Sequence, residues 1–282
     1  MTWTLSSSLD EFRSAAGTFL AAHPAENTVL LTLVDRLAAV DSDSHEQPPR
    51  FGWWRPGPGA PVAGVFLQTP PRQLRLGLTP PQAGAELAEL LRAQGVEPGG
   101  VGGGKAPVEA FGAAWCRGGR ATARVRTNER LHRLGELVEP SPAPGGRARP
   151  ATVDDRELLT DWLAAFAAEI GASHPADLGA MVDRRTALGE LRIWEDGGRP
   201  VSFAGVSPVL AGMSRIAPVF TPPELRGRGY ASAVVAAGSV HARRAGAEEV
   251  VLYTDLANPT SNSIYRKLGY RPVEDGLVLE LG

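Results

Sequence analysis

Apolar residues recur at helical spacing over Leu9 to Leu20 and again over Asn27 to Val40, so two helices are expected near the start of the chain. The period then changes. Phe51–Arg55 and Val62–Thr69 read as strands joined by a turn at Pro56-Gly-Pro-Gly59, and Gln73–Leu78 reads as a third strand. Helical spacing returns from Pro81 to Gln94, and Gly95 suits the left-handed residue that ends helices. Past a glycine run at 99–104, read as a flexible loop, a helix near Pro107–Trp115 and a strand at Ala121–Thr127 are expected.

A seam follows. Glu139-Pro-Ser-Pro-Ala-Pro-Gly-Gly-Arg-Ala-Arg-Pro150 carries four prolines and two glycines in twelve positions, which suits neither a helix nor a central strand. Residues 1–138 and 146–282 are therefore expected as two domains, with 139–150 a connector running into the first strand of the second. In the second half, Thr152-x-x-Asp155 is a capping box opening a helix towards Ile170. Leu191–Glu195 and Val201–Val206 form a hairpin around Asp196-Gly-Gly198. Gly212–Thr221 is a strand whose Pro218 implies an edge or a bulge. A helix over Tyr230 to Ala245, a nearly all-apolar strand at Val250–Tyr253, a helix over Pro259–Leu268 and a strand at Leu277–Leu281 complete the chain. The two halves share almost one order of elements, as diverged copies of one fold would.

Composition narrows the function. The chain of 282 residues is 43% hydrophobic and 21% charged, as globular proteins are. A net charge of -2 argues against coating nucleic acid or anionic lipid. The one cysteine, Cys116, excludes an internal disulfide framework, and the five histidines form no pair at metal-ligand spacing, so no metal is expected. Met1 to Arg13 is polar, unlike a signal peptide, and no apolar run approaches the length of a membrane span, so a cytoplasmic protein is expected.

Two segments can carry chemistry. In Val219-Phe-Thr-Pro-Pro-Glu-Leu-Arg-Gly-Arg-Gly-Tyr-Ala-Ser232 a strand runs through a loop, Arg226-Gly227-Arg228-Gly229, straight into a helix starting at Tyr230. A helix N-terminus offers unpaired N–H groups and partial positive charge to a phosphate, and the glycines allow close backbone approach. The second segment begins after the apolar strand. Asn258, Asn262 and Tyr265 share one face of a helix start, while Ile264 and Leu268 occupy another. A phenol there can donate a proton to a leaving group.

Together the segments resemble the GNAT superfamily of N-acetyltransferases. Arg226-x-x-Gly229-x-Ala231 is similar to its acyl-CoA signature, and Asn258-Pro-x-Ser-Asn-x-x-Tyr265-x-Lys-Leu-Gly-Tyr270 to the helix that follows. The resemblance implies an α/β fold of two GNAT-like domains, each a twisted mixed sheet flanked by helices. It implies acetyl-CoA as co-substrate: its pantetheine arm along Val219, Phe220 and Thr221, its pyrophosphate at Arg226, Gly227, Arg228, Gly229, Tyr230, Ala231 and Ser232, and further contacts from Asn258, Ser261 and Asn262. Tyr265 would protonate the departing thiolate. The implied reaction is direct acetyl transfer to a primary amine of a small molecule or peptide, by a monomer or homodimer acting on neither nucleic acid nor membrane. A non-catalytic acetyl-CoA-binding or regulatory module and an aminoacyl-tRNA-dependent transferase are the alternatives.

The first half has Thr79-Pro-Pro-Gln-Ala-Gly84 where the signature would stand, without arginine or paired glycines, and reads as a degenerate copy. Gly99-Gly-Val-Gly-Gly-Gly104-Lys105 imitates a P-loop, but Ala106 stands where a magnesium-binding hydroxyl belongs. For the base that deprotonates the acceptor, strand 212–221 supplies no carboxylate; Glu169 is the candidate named, with His174 and Asp255 behind it.

Overall fold

The computed structural model describes residues 2–39, 47–119, 121–171 and 177–282. It divides into two compact units that do not follow a single cut at the seam. The first comprises Met1–His132, Tyr253–Pro259 and Pro272–Gly282; the second comprises Arg133–Leu252 and Thr260–Arg271. The C-terminal residues, expected in the second domain, thus belong with the first.

In the first unit β1 (Thr2–Ser6) precedes α1 (Leu9–Ala22) and α2 (Thr28–Ala38). Then come β2 (Arg50–Arg55), β3 (Gly64–Gln68), β4 (Leu74–Leu76), α3 (Pro81–Ala93), β5 (Gly100–Gly104), α4 (Lys105–Trp115) and β6 (Ala123–Leu134). β1 lies in the stretch that composition describes only as polar. Its sheet order is β1-β2-β3-β4-β5, and the next place is taken by β12 (Tyr270–Leu281), the last strand of the chain. Leu277 faces Gly103 and Leu279 faces Val101 in that antiparallel pairing. Leu277 and Leu279 then join Val101, Leu87 and Phe111 in one buried cluster beneath α3 and α4. Phe12, Leu20, Phe51, Trp53 and Val65 form a second cluster with α1 and α2.

β5 corrects the reading of the glycine run as a flexible loop. The run is a strand because its backbone pairs with β4 on one side and β12 on the other, and it is built of glycines because neighbours occupy the space side chains would need. A Cβ on Gly102 would stand 2.3 Å from the Arg75 guanidinium, and one on Gly104 2.4 Å from the Glu274 carboxylate. Glycine is disfavoured in strands on conformational grounds, which is why its local signal misleads here.

The second unit carries β7 (Arg147–Pro150), α5 (Arg156–Glu169), α6 (Leu178–Ala187), β8 (Leu191–Asp196), β9 (Arg199–Val206), β10 (Met213–Phe220), α7 (Tyr230–Arg244), β11 (Glu249–Asp255) and α8 (Pro259–Lys267). The sheet order is β11-β10-β9-β8-β7. The capping box forms as expected: the Thr152 amide donates to Asp155 Oδ2 at 2.8 Å, ahead of α5. Arg149 then clamps the Asp155 carboxylate with two nitrogens at 2.7 and 2.8 Å and reaches Glu195 at 2.7 Å. One apolar cluster joins α5 and α6 to Ile193, Phe203 and Phe220; another joins α7 and α8 to Ile216, Val250 and Tyr270. Among the described residues no helix is long and apolar enough to cross a membrane.

Candidate functional site

The site in the second unit starts from a break in the β10 ladder. On one side β10 runs parallel to β11, with Met213–Arg215 facing Glu249–Val251, and it continues past that register to Phe220. On the other side its antiparallel pairing with β9 shifts between Ile216 and Val219. Pro218 sits in this shift and has no N–H for a ladder bond. Of the two options the sequence left for Pro218, the strand takes the bulge.

The end of β10 is fastened from several directions. Phe220 is 4% exposed and turns its ring into the α5 core, 6.1 Å from Trp162. Val219 packs on the cluster that also holds Ile216, Val234 and Tyr265. Ser202 Oγ donates to the Phe220 carbonyl at 3.0 Å and lies 2.9 Å from the Thr221 hydroxyl. What β10 offers a ligand at these positions is therefore backbone more than side chain.

The loop folds back on this strand end. Arg226 Nε donates to the Thr221 carbonyl at 2.9 Å, its guanidinium lies 5.9 Å from the Phe220 ring centroid, and another of its nitrogens pairs with Glu169. Gly227 and Gly229 have φ of 77° and 84°, values that a residue with a Cβ adopts only with strain, about 1–2 kcal/mol. Among the described residues a Cβ on Gly227 would meet nothing within 4 Å, which leaves the backbone there open on that account; one on Gly229 would touch Pro144 at 3.7 Å.

Gly229 is the N-cap of α7, and no side chain among the described residues caps this end. The amides of Tyr230, Ala231 and Ser232 thus lie in the first turn, where the helix supplies no acceptor for them. Arg228 reaches the Glu224 carbonyl at 3.4 Å. Tyr230 is buried and donates to Asp196 at 2.6 Å; that hydrogen bond raises its hydroxyl above the usual tyrosine value.

Tyr265 lies in α8, 9% exposed, in the same apolar cluster as Ile216 and Val234. Burial pushes its hydroxyl up to about 12, so it keeps its proton at neutral pH. Ser261 and Asn262 stand half-buried in the first turn of α8. Asn258 is exposed just before the helix, and its amide donates to the Asp255 carbonyl at 3.0 Å.

For the base, Glu169 ends α5 with its carboxylate accepting from Arg226. His174 lies outside the described residues. Asp255 caps a turn, accepting from the Ala257 amide at 2.8 Å. No group of three potential metal ligands occurs among the described residues.

Several contributors escape sequence reasoning: Ser202, Asp196 and Arg185 bond to residues 18, 34 and 32 positions away in the chain, where spacing carries no signal. The apolar strand ends and the paired glycines were the signals that could be found, and they lead to β10 and α7.

Residues 156–270 match the family described as the acetyltransferase (GNAT) family. A 78-residue stretch is 36% identical to a mycothiol acetyltransferase of Saccharomonospora viridis; it makes up 28% of this chain and only 22% of that relative. A GNAT-family acetyltransferase of Colwellia psychrerythraea has a similar fold, with TM-score 0.59 and 15% identity over 99% of this chain and 98% of that one. A tandem GNAT protein from the clavulanic acid biosynthesis pathway has TM-score 0.57 and 12% identity over 100% and 98% of the two chains.

Proposed function

We propose that this chain, which matches the acetyltransferase (GNAT) family over residues 156–270, transfers an acetyl group from acetyl-CoA to a primary amine by direct attack. The observation that carries this reading is the combination at the β10–α7 junction. A strand leaves its parallel neighbour after Arg215, and a helix opens without a side-chain cap behind two glycines of positive φ.

The residues present fit the co-substrate. The first-turn amides from Tyr230 to Ser232, with the neighbouring backbone of Gly227 free of contacts among the described residues, would hold its pyrophosphate. Arg226 and Arg228 add positive charge at that loop. Val219 to Thr221 would receive the pantetheine arm as an added strand. Ser261 and Asn262 would contact the same arm from the first turn of α8.

When bound, acetyl-CoA supplies a thioester carbonyl open to attack by a neutral amine. The protein's part is to orient that thioester and to manage two protons. Tyr265 holds a proton that neutral water does not remove, ready for the departing thiolate. Glu169 is the proposed acceptor of the ammonium proton, for which Arg226 must first release its carboxylate.

The test is thiol release from acetyl-CoA with a panel of primary amines, run beside calorimetry with acetyl-CoA alone. Release that depends on amine supports the transferase. Binding without turnover on every amine would leave an acetyl-CoA-binding module in its place.

A further inference from the structure

Arg185, in the last turn of α6, is 3% exposed and pairs through Nε with Glu190 Oε2 at 2.9 Å; Glu190 is itself 6% exposed. From that pairing Arg185 sends a terminal nitrogen to the Ala217 carbonyl at 3.2 Å. Ala217 lies inside the register shift of β10, where the carbonyl has left the regular ladder. The path to it crosses β9 at Gly205. A Cβ there would stand 2.3 Å from the Ala217 oxygen and 2.5 Å from the Arg185 nitrogen, so the glycine makes room for both.

A buried charge pair of this kind contributes little net stability, because desolvation offsets its attraction. Stability alone is therefore a poor reason for burying it. A buried carbonyl outside the ladder does need a donor. Arginine meets both demands, since its fork can hold a carboxylate with one nitrogen while offering another elsewhere.

We propose that Arg185 is a positioning residue for acetyl-CoA binding: with Glu190 fixing its orientation and Gly205 giving it passage, it pins the Ala217 carbonyl and so sets the direction in which Val219–Thr221 leave the sheet. This inference deepens the proposed function and rests on the reading of that strand end as the acetyl-CoA groove. Arg185 acts through the backbone and touches neither substrate.

Two variants test it. Arg185→Lys keeps the charge beside Glu190 but gives up the second, forked donor. Arg185→Met combined with Glu190→Met removes both charges without leaving one unpaired, which protects the fold. Three quantities are measured on each folded, full-length protein: acetyl-CoA affinity by calorimetry, KM for acetyl-CoA and for the amine separately, and hydrogen exchange at the amides of Val219, Phe220 and Thr221.

Expected in both variants are acetyl-CoA affinity weakened about 10-fold, a matching rise in its KM with the amine KM unchanged, and faster exchange at those amides. A purely structural role would instead lower the folded or active fraction and leave KM alone, which would overturn the proposal. So would unchanged exchange and affinity in folded variants. If the unaltered protein binds no acetyl-CoA, the functional reading fails, and this proposal fails with it.

Discussion

The Tyr265 ring stands edge-on to that of Tyr270, centroids 6.0 Å apart and planes at 66°, and it is the Tyr270 hydroxyl that meets Ser239 at 2.8 Å. Two phenols of one apolar cluster are thereby given different tasks. Tyr270 is fully buried and tied to α7, while the Tyr265 hydroxyl is kept protonated by burial. Tyr265→Phe should therefore preserve the fold and acetyl-CoA affinity while lowering kcat by about 10²-fold, as removal of a general acid does. Steady-state kinetics beside calorimetry check this. An unchanged kcat, with chemistry rate-limiting, would return Tyr265 to packing alone.

The same burial has a consequence for alkaline stability. An unfolded tyrosine ionises near pH 10, whereas folded Tyr265 holds its proton up to about 12. The raised value means that its contribution to stability is complete below pH 10 and is lost as pH rises through 12. The loss amounts to roughly 3 kcal/mol for two pKa units. Burial raises Tyr270 in the same sense. Denaturant melts from pH 9 to 12 should show stability falling, and the fall should be shallower in Tyr265→Phe. Parallel curves for the two proteins would contradict the assignment.

At the acid end Asp155 paired with Arg149 is one contributor, as is Asp275 paired with Arg130. The Arg149 hydrogen bonds hold the Asp155 carboxyl below its ordinary value, assisted by the Thr152 amide. A lowered value contributes stability that is present above the usual carboxylate range and is lost as pH falls through the folded value. Asp155→Asn removes this charge and half of the capping box, and should cost about 2 kcal/mol at neutral pH. Its stability should then vary less below pH 4 than the unaltered protein's, as measured by chemical denaturation.

These sites differ in how visible they were in the sequence. The capping box, the glycine-flanked start of α7 and the terminal glycines of helices are local devices, and local chemistry was enough to place them. The signature segment also located the end of β10. Four features were hidden. β1 does alternate, with Trp3 and Leu5 packed on the core between Thr2, Thr4 and Ser6, but five residues are too few to stand out in a polar stretch. β5 was disguised by its glycines, which serve Arg75 and Glu274 rather than the strand itself. The pairing of β12 with β5 joins residues that no local pattern connects. The Arg185–Ala217 contact was hidden for the same reason, since a backbone carbonyl has no sequence signature.

Gly229→Val separates anion binding from folding. The φ of 84° imposes strain of about 1–2 kcal/mol on a β-branched residue, or somewhat more, and a stable domain tolerates that loss. A side chain at the helix start would also stand among the amides proposed to hold the pyrophosphate. We expect a folded protein, verified by its cooperative melt, with acetyl-CoA binding abolished. Unchanged affinity by calorimetry would remove the loop from the co-substrate site.

Glu169 admits two roles that one substitution tells apart. Glu169→Gln cannot accept a proton, yet its amide oxygen can still receive a hydrogen bond from Arg226. If Glu169 is the base, kcat should fall by 10²-fold or more and the ascending limb of the pH–rate profile should change, with KM for acetyl-CoA preserved. If the carboxylate instead serves to aim Arg226, the loss should appear in KM for acetyl-CoA and leave the profile's shape intact. The present geometry, with the carboxylate already engaged by Arg226, makes the first outcome depend on that pair opening when substrates bind. Raising ionic strength weakens a half-exposed pair of this kind. A base that must be released should therefore work no worse, and an aiming residue should work less well, as salt increases. Measuring kcat and KM over a salt series in the unaltered protein gives a second reading of the same question, independent of any substitution.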